Sequence, residues 1–142
     1  SGTGATQAGL VCGKLLSGDK KRKIVGISIA REEERGRNVV KDSIKEYLGE
    51  RFETLYTEAA LFFTDAYRCG GYGNYTEEVK ETIDDVMNRE GIPMDTTYVG
   101  KAFCGMLDFI KEQNIKDKKI LFIHTGGCPL FFDKLAETER HG

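Results

Sequence analysis

Apolar positions along the chain follow two rhythms. Over residues 6–17, Ala8, Val11 and Leu15, with Leu10 beside them, recur at helical spacing and predict a helix. A polar break, SGDKKR, separates it from KIVGISIA at residues 23–30, a short β-rich run bounded by charge that reads as a buried parallel-type strand. Residues 31–35 are a charge cluster. Residues 38–52 then place Val40, Ile44, Tyr47 and Leu48 on one helical face, with Gly49 near the end. LFFTDAY at 61–67 is a second short apolar run, and it leads into the glycine-rich turn RCGGYG. TEEV opens a third helix over 76–90, with Thr76 as cap and Val79, Ile83, Val86 and Met87 as its apolar stripe. Gly91-Ile-Pro-Met-Asp ends it. Residues 98–113 carry Ala102, Phe103, Met106, Leu107 and Ile110 on one face of a fourth helix. KKILFIHT at 118–125 is the clearest strand in the sequence, and a final short helix is expected to include residues 130–135.

Strands alternating with helices argue for an α/β fold: a parallel sheet with helices on both faces, in three layers. About three strands are visible, fewer than such a sheet usually holds. The expectation is one α/β domain over residues 1–142 that is a fragment of a larger fold. No internal repeat, low-complexity tract or linker divides it.

Composition narrows the function classes. The 142 residues carry a net charge of −2, with both signs interspersed, which gives no reason to expect a nucleic-acid partner. The apolar runs are strand-length and no secretory leader opens the chain, so a soluble, cytoplasmic protein without a membrane partner is expected. Cys12, Cys69, Cys104 and Cys128 form no C-x-x-C pair, and only His124 and His141 offer imidazole. Reduced structural thiols are expected rather than a zinc site or disulfides.

The candidate chemistry begins at SGTGATQAGL. Gly2, Thr3, Gly4, Ala5 and Thr6 run directly into the first helix, whose unpartnered N–H groups and dipole suit an oxyanion. No acidic side chain lies within residues 1–17, so phosphate binding is the chemistry offered, with ordinary helix capping as the plainer alternative. The stretch is neither a Walker A loop nor a G-x-G-x-x-G loop, because Gln7 stands in place of the third glycine. Such loops usually follow a strand, and here none precedes it. Two further stretches, Gly70-Gly-Tyr-Gly73 and His124-Thr-Gly-Gly127, follow successive apolar runs and are expected to meet the opening loop at the carboxyl edge of the sheet. Tyr72, pinned between glycines, is expected to face a cleft. Tyr98 reads otherwise as a staple or core aromatic, Thr125 as a strand-end threonine, His124 as a core histidine and Lys101 as a solvated or salt-bridged lysine.

Four segments, SGTGATQAGL, GGYGNYTEE, DTTYVGKAFCGMLDFI and ILFIHTGGCPLFF, resemble in order and separation the C-terminal part of the 1-aminocyclopropane-1-carboxylate deaminase / D-cysteine desulfhydrase family. These are pyridoxal-phosphate enzymes of the tryptophan synthase β-like fold (fold type II). The resemblance covers nearly the whole chain. It implies pyridoxal 5'-phosphate as cofactor, with Gly2, Thr3, Gly4, Ala5 and Thr6 as the phosphate cradle. It places Tyr98 near the pyridine ring and substrate, Tyr72 as a second active-site phenol, and Thr125 facing the ring nitrogen. The lysine that holds the cofactor lies in an N-terminal portion of the family's chain that is absent here. Val99 departs from the family, which has glutamate in the deaminases and commonly threonine in the desulfhydrases. That leans the reading away from ring opening and toward a desulfhydrase-like lyase, with a small amino acid of D configuration as the expected substrate and a homodimer as the implied assembly. The alternatives are a stand-alone phosphate- or nucleotide-binding module and a noncatalytic fragment.

Overall fold

The computed structural model describes residues 3–133; Gly2 of the expected cradle and residues 134–135 of the expected last helix lie outside them. In chain order the elements are α1 (Ala5–Leu16), β1 (Val25–Ile27), α2 (Glu33–Leu48), α3 (Phe52–Leu55), β2 (Phe62–Thr64), α4 (Glu77–Glu90) and α5 (Val99–Glu112), with residues 128–133 also helical. β1 and β2 pair in parallel, Val25 opposite Phe62, Gly26 opposite Phe63 and Ile27 opposite Thr64. The strand, helix, strand order of β1, α2 and β2 is what a parallel pair requires.

Alternate residues of a strand point to opposite faces, and the two faces carry different helices. On one, Phe63 packs into a core with Val11, Cys12, Val40, Ile44 and Leu48 of α1 and α2. On the other, Phe62 meets Phe109 of α5 edge-on at 5.5 Å. The result is the expected α/β arrangement in three layers. Both helical layers come close enough to exclude side chains: a Cβ on Gly36 would stand 2.2 Å from the Phe63 ring, and one on Gly105 would stand 2.6 Å from Cβ of Tyr67. Gln7 ties α1 to the sheet, its amide donating to the Phe62 carbonyl at 2.7 Å.

Several boundaries and faces differ from the sequence expectation. α2 begins at Glu33, inside the charge cluster, because Asp65 Oδ2 accepts from the Glu33 N–H at 3.1 Å and satisfies its first turn. Tyr47, expected on the apolar face, is 67 % exposed. The buried face of α5 is Val99, Gly100, Lys101, Cys104, Gly105 and Phe109, whereas Leu107 of the expected stripe is exposed. Small residues let α5 sit close against the sheet and α4, and contact distance outweighs hydropathy there.

The largest correction concerns residues 118–125. They form no strand, and Ile120, Leu121 and Ile123 are exposed. A strand exists through the ladder it makes with a neighbour, and among the described residues nothing pairs with this run. Phe122 is held edge-on to Phe103 of α5 at 5.1 Å and against the α4–α5 core, and His124 by a polar contact with the Pro93 carbonyl.

Candidate functional site

The loops that leave β1 and β2 at their carboxyl ends are fixed by local polar chemistry. Ser28 N donates to the Thr64 carbonyl at 2.8 Å, extending the strand pairing by one bond, and Ser28 Oγ donates to the Arg31 carbonyl at 2.7 Å. The chain after β2 then turns through Cys69 to Gly73 and presents Tyr72 to solvent, 65 % exposed.

Tyr98 is brought to it by the start of α5. Asp95, 1 % exposed, accepts from the N–H groups of Thr97, Tyr98 and Val99 at 2.8, 2.6 and 2.9 Å. One carboxylate thereby satisfies three donors that the helix itself cannot. Tyr98 stands at the N-cap position, and its hydroxyl lies 2.6 Å from that of Tyr72, with the rings edge to face at 5.8 Å. The hydrogen bond with Tyr72 is the main reason the Tyr98 phenol holds its proton more tightly than an ordinary tyrosine; partial desolvation adds to it. At neutral pH Tyr98 therefore offers a protonated phenol, able to donate a hydrogen bond to an anion.

The H-T-G-G stretch approaches the same place. A Cβ on Gly127 would fall 2.2 Å from Asp95 Oδ1, so only glycine permits this loop to lie on the helix cap. Thr125, two residues earlier, is exposed. His124 is not the core residue expected: it is exposed, with Nε2 3.0 Å from the Pro93 carbonyl and Nδ1 accepting from Gly126 N at 3.4 Å. Those two bonds together require the Nε2–H tautomer.

The opening stretch has the features of an anion cradle on another layer of the molecule. Gly4 is the N-cap of α1 in a left-handed conformation (φ 91°), and the first turn holds no acidic residue. Thr3 Oγ1 accepts from Ala5 N at 3.4 Å, and Thr6 is exposed. Ala5 is exposed beside it, whereas Gly4 is buried against Val40. Tyr72, Tyr98 and the loop after Thr125 are thus brought together. Among the described residues no direct hydrogen bond joins Thr3, Gly4, Ala5 or Thr6 to them.

Sequence reasoning missed two residues. Asp95 carried a signal, an acidic residue just ahead of a helix start. Lys101 carried none. It is 1 % exposed rather than solvated, and burial lowers its affinity for a proton. Elsewhere, Glu78, Cys104 and Asp108 come within 4.8 Å of one another. Burial pushes the Cys104 thiol up, so it is not offered as a thiolate ligand.

Three known proteins are similar to this chain. A Pyrococcus furiosus protein named "Putative 1-aminocyclopropane-1-carboxylate deaminase" is 38 % identical over 130 residues, covering 89 % of this chain and 37 % of its own length. A Pyrococcus abyssi protein of the same name is 34 % identical over 134 residues, 92 % of this chain and 38 % of its own. A crystal structure described as an ACC deaminase homologue superposes with a TM-score of 0.79 at 36 % identity, over 96 % of this chain and 42 % of that one. The chain is homologous to part of these putative deaminases. It spans about two fifths of the length of the relatives it matches, and the α/β reading agrees with the fold it shares with the solved homologue. No family model matches the chain. Among the described residues, no helix is long and apolar enough to cross a membrane.

Proposed function

We propose that this chain is the C-terminal portion of a pyridoxal-phosphate-dependent lyase or deaminase acting on a small amino acid of D configuration, in the manner of a D-cysteine desulfhydrase. Ammonia is released, and sulfide as well when the substrate is a cysteine. The observation that carries the reading is the phenol pair, Tyr72 and Tyr98 at 2.6 Å, with Tyr98 on a helix start whose cap, Asp95, lies against Gly127 of the H-T-G-G loop.

The residues fit the cofactor in their donor chemistry. Gly4 and the first-turn N–H groups that follow Ala5 in a twelve-residue helix, with no acid in that turn, suit a dianionic phosphate, and Thr3 and Thr6 add hydroxyls. When bound, pyridoxal phosphate supplies an electron sink for the carbon that loses its proton. Thr125 offers the ring nitrogen a neutral hydroxyl rather than a carboxylate. Val99 offers it nothing: its side chain is hydrocarbon, 2 % exposed and packed in the α4–α5 core. The weaker sink that results suits elimination of a good leaving group such as sulfide. Tyr72 and Tyr98 orient the substrate, and the tightly held proton of the Tyr98 phenol keeps it a hydrogen-bond donor toward a departing group. The lysine that holds the cofactor, the rest of the substrate pocket and a homodimeric assembly belong to the proposed full-length protein.

The test is turnover by the full-length protein loaded with pyridoxal phosphate. Sulfide and ammonia released together from D-cysteine, with little ammonia from 1-aminocyclopropane-1-carboxylate, is the expected result. Release of ammonia from the cyclopropane amino acid alone would replace the desulfhydrase reading with ring opening.

A further inference from the structure

Lys101 is a buried cation held by carbonyls, with the buried Asp95 carboxylate acting on it through space rather than in an ion pair. Its ammonium donates to three backbone carbonyls, Gly71 at 2.7 Å, Ile29 at 3.0 Å and Arg68 at 3.4 Å. An ammonium has three N–H donors, and three acceptors occupy them all. Among the described residues no ion pair involves it. The three carbonyls come from two different connections: Ile29 follows β1, while Arg68 and Gly71 bracket the turn after β2. Lys101 itself is in the first turn of α5, three residues after Tyr98. The bracketed turn is one the backbone would not choose unaided, with positive φ at Cys69 (52°), Gly70 (81°) and Gly71 (127°). A non-glycine residue at positive φ is held there only when its surroundings over-determine it. The next residue is Tyr72.

We infer that the Lys101 ammonium serves as a built-in monovalent cation, filling a cage of three carbonyls that clamps the connections after both strands to α5 and so sets the Tyr72 phenol against Tyr98. Partly dehydrated alkali cations are held in proteins by the same ligand type, backbone carbonyls that replace their water. Replacing the amine with hydrocarbon therefore leaves a cage with its oxygens in place and no charge inside, open to potassium or ammonium. The inference depends on the cage alone and holds whatever reaction the complete protein performs.

The test is Lys101→Met in the full-length protein, with thermal unfolding and an ultraviolet phenol titration run in sodium, potassium and ammonium chloride at equal ionic strength. In sodium chloride the variant's midpoint is expected to fall by about 5 °C or more, and the late-ionising phenol of Tyr98 to disappear. Potassium or ammonium restores at least half of the loss and brings the late phenol back, while the wild type responds alike to all three salts. A variant that matches the wild type, or one that loses the same amount in every salt, overturns the inference. Should the variant not fold in any salt, reductive methylation of the native wild type decides. An ammonium held by three carbonyls stays unmodified while surface lysines react, and Lys101 reacting at their rate would overturn the cage.

Discussion

The two faces of the sheet are built from different materials. Against α1 and α2 lies hydrocarbon: Val11, Val40 and Ile44 are fully buried, and the polar residue that joins them is Gln7, spent on one strand carbonyl. Against α5 the most deeply buried residues include Asp95 and Lys101, each satisfying three backbone groups in loops that a hydrophobic pattern cannot shape. Apolar burial is non-directional and stabilises without dictating angles. Hydrogen bonds are directional, and on the second face they fix where the phenols point. One face mainly holds the fold together, and the other positions chemistry.

The contrast can be broken from either side. Ile44→Ala should cost the most, about 3 kcal/mol, because a fully enclosed side chain leaves a cavity in a face with little freedom to collapse; urea unfolding reads it. Asp95→Ala should follow at about 2 kcal/mol, since three donors at the start of α5 lose one acceptor. Unlike the cavity variant, it should also free Tyr98 from Tyr72, visible in the phenol titration. Thr76→Ala removes the side-chain acceptor of the Val79 N–H and should cost about 1 kcal/mol with no effect on either phenol.

Tyr72→Phe sharpens the comparison with the smallest change in stability. The Tyr98 phenol is raised above its usual value, chiefly by Tyr72, so the folded state keeps a proton that the unfolded state gives up first. Its contribution to stability is complete below about pH 10 and fades as pH climbs through the raised value. In the Phe variant Tyr98 should ionise nearer the ordinary tyrosine value, with the unfolding midpoint at neutral pH almost unmoved.

Much of the fold was legible because the periodic elements obey local rules. The N-cap at Thr76, the break at Gly91 and the apolar face of α2 through Val40 and Ile44 all stand where the pattern put them. Two runs with nearly the same pattern diverged. KIVGISIA contains β1 because β2 lies beside it, whereas KKILFIHT is unpaired, since a ladder needs a partner and hydropathy does not say where the partner is. In the site, Tyr72 was expected at a cleft from its glycine setting. Tyr98 was marked only by the family resemblance, its helix-start setting alone reading as a staple or core aromatic. Their meeting is visible only in three dimensions. Lys101 was illegible in principle, because one lysine looks like another until the carbonyls around it are placed.

The central claim, that this chain carries the phosphate cradle and phenols of a pyridoxal-phosphate enzyme, is tested most directly by titrating the full-length protein with pyridoxal phosphate, followed by borohydride reduction and mass mapping. The account predicts a visible absorbance band and a reduced adduct on one lysine outside residues 1–142. No band and no adduct, or an adduct on a lysine within this chain, would contradict it.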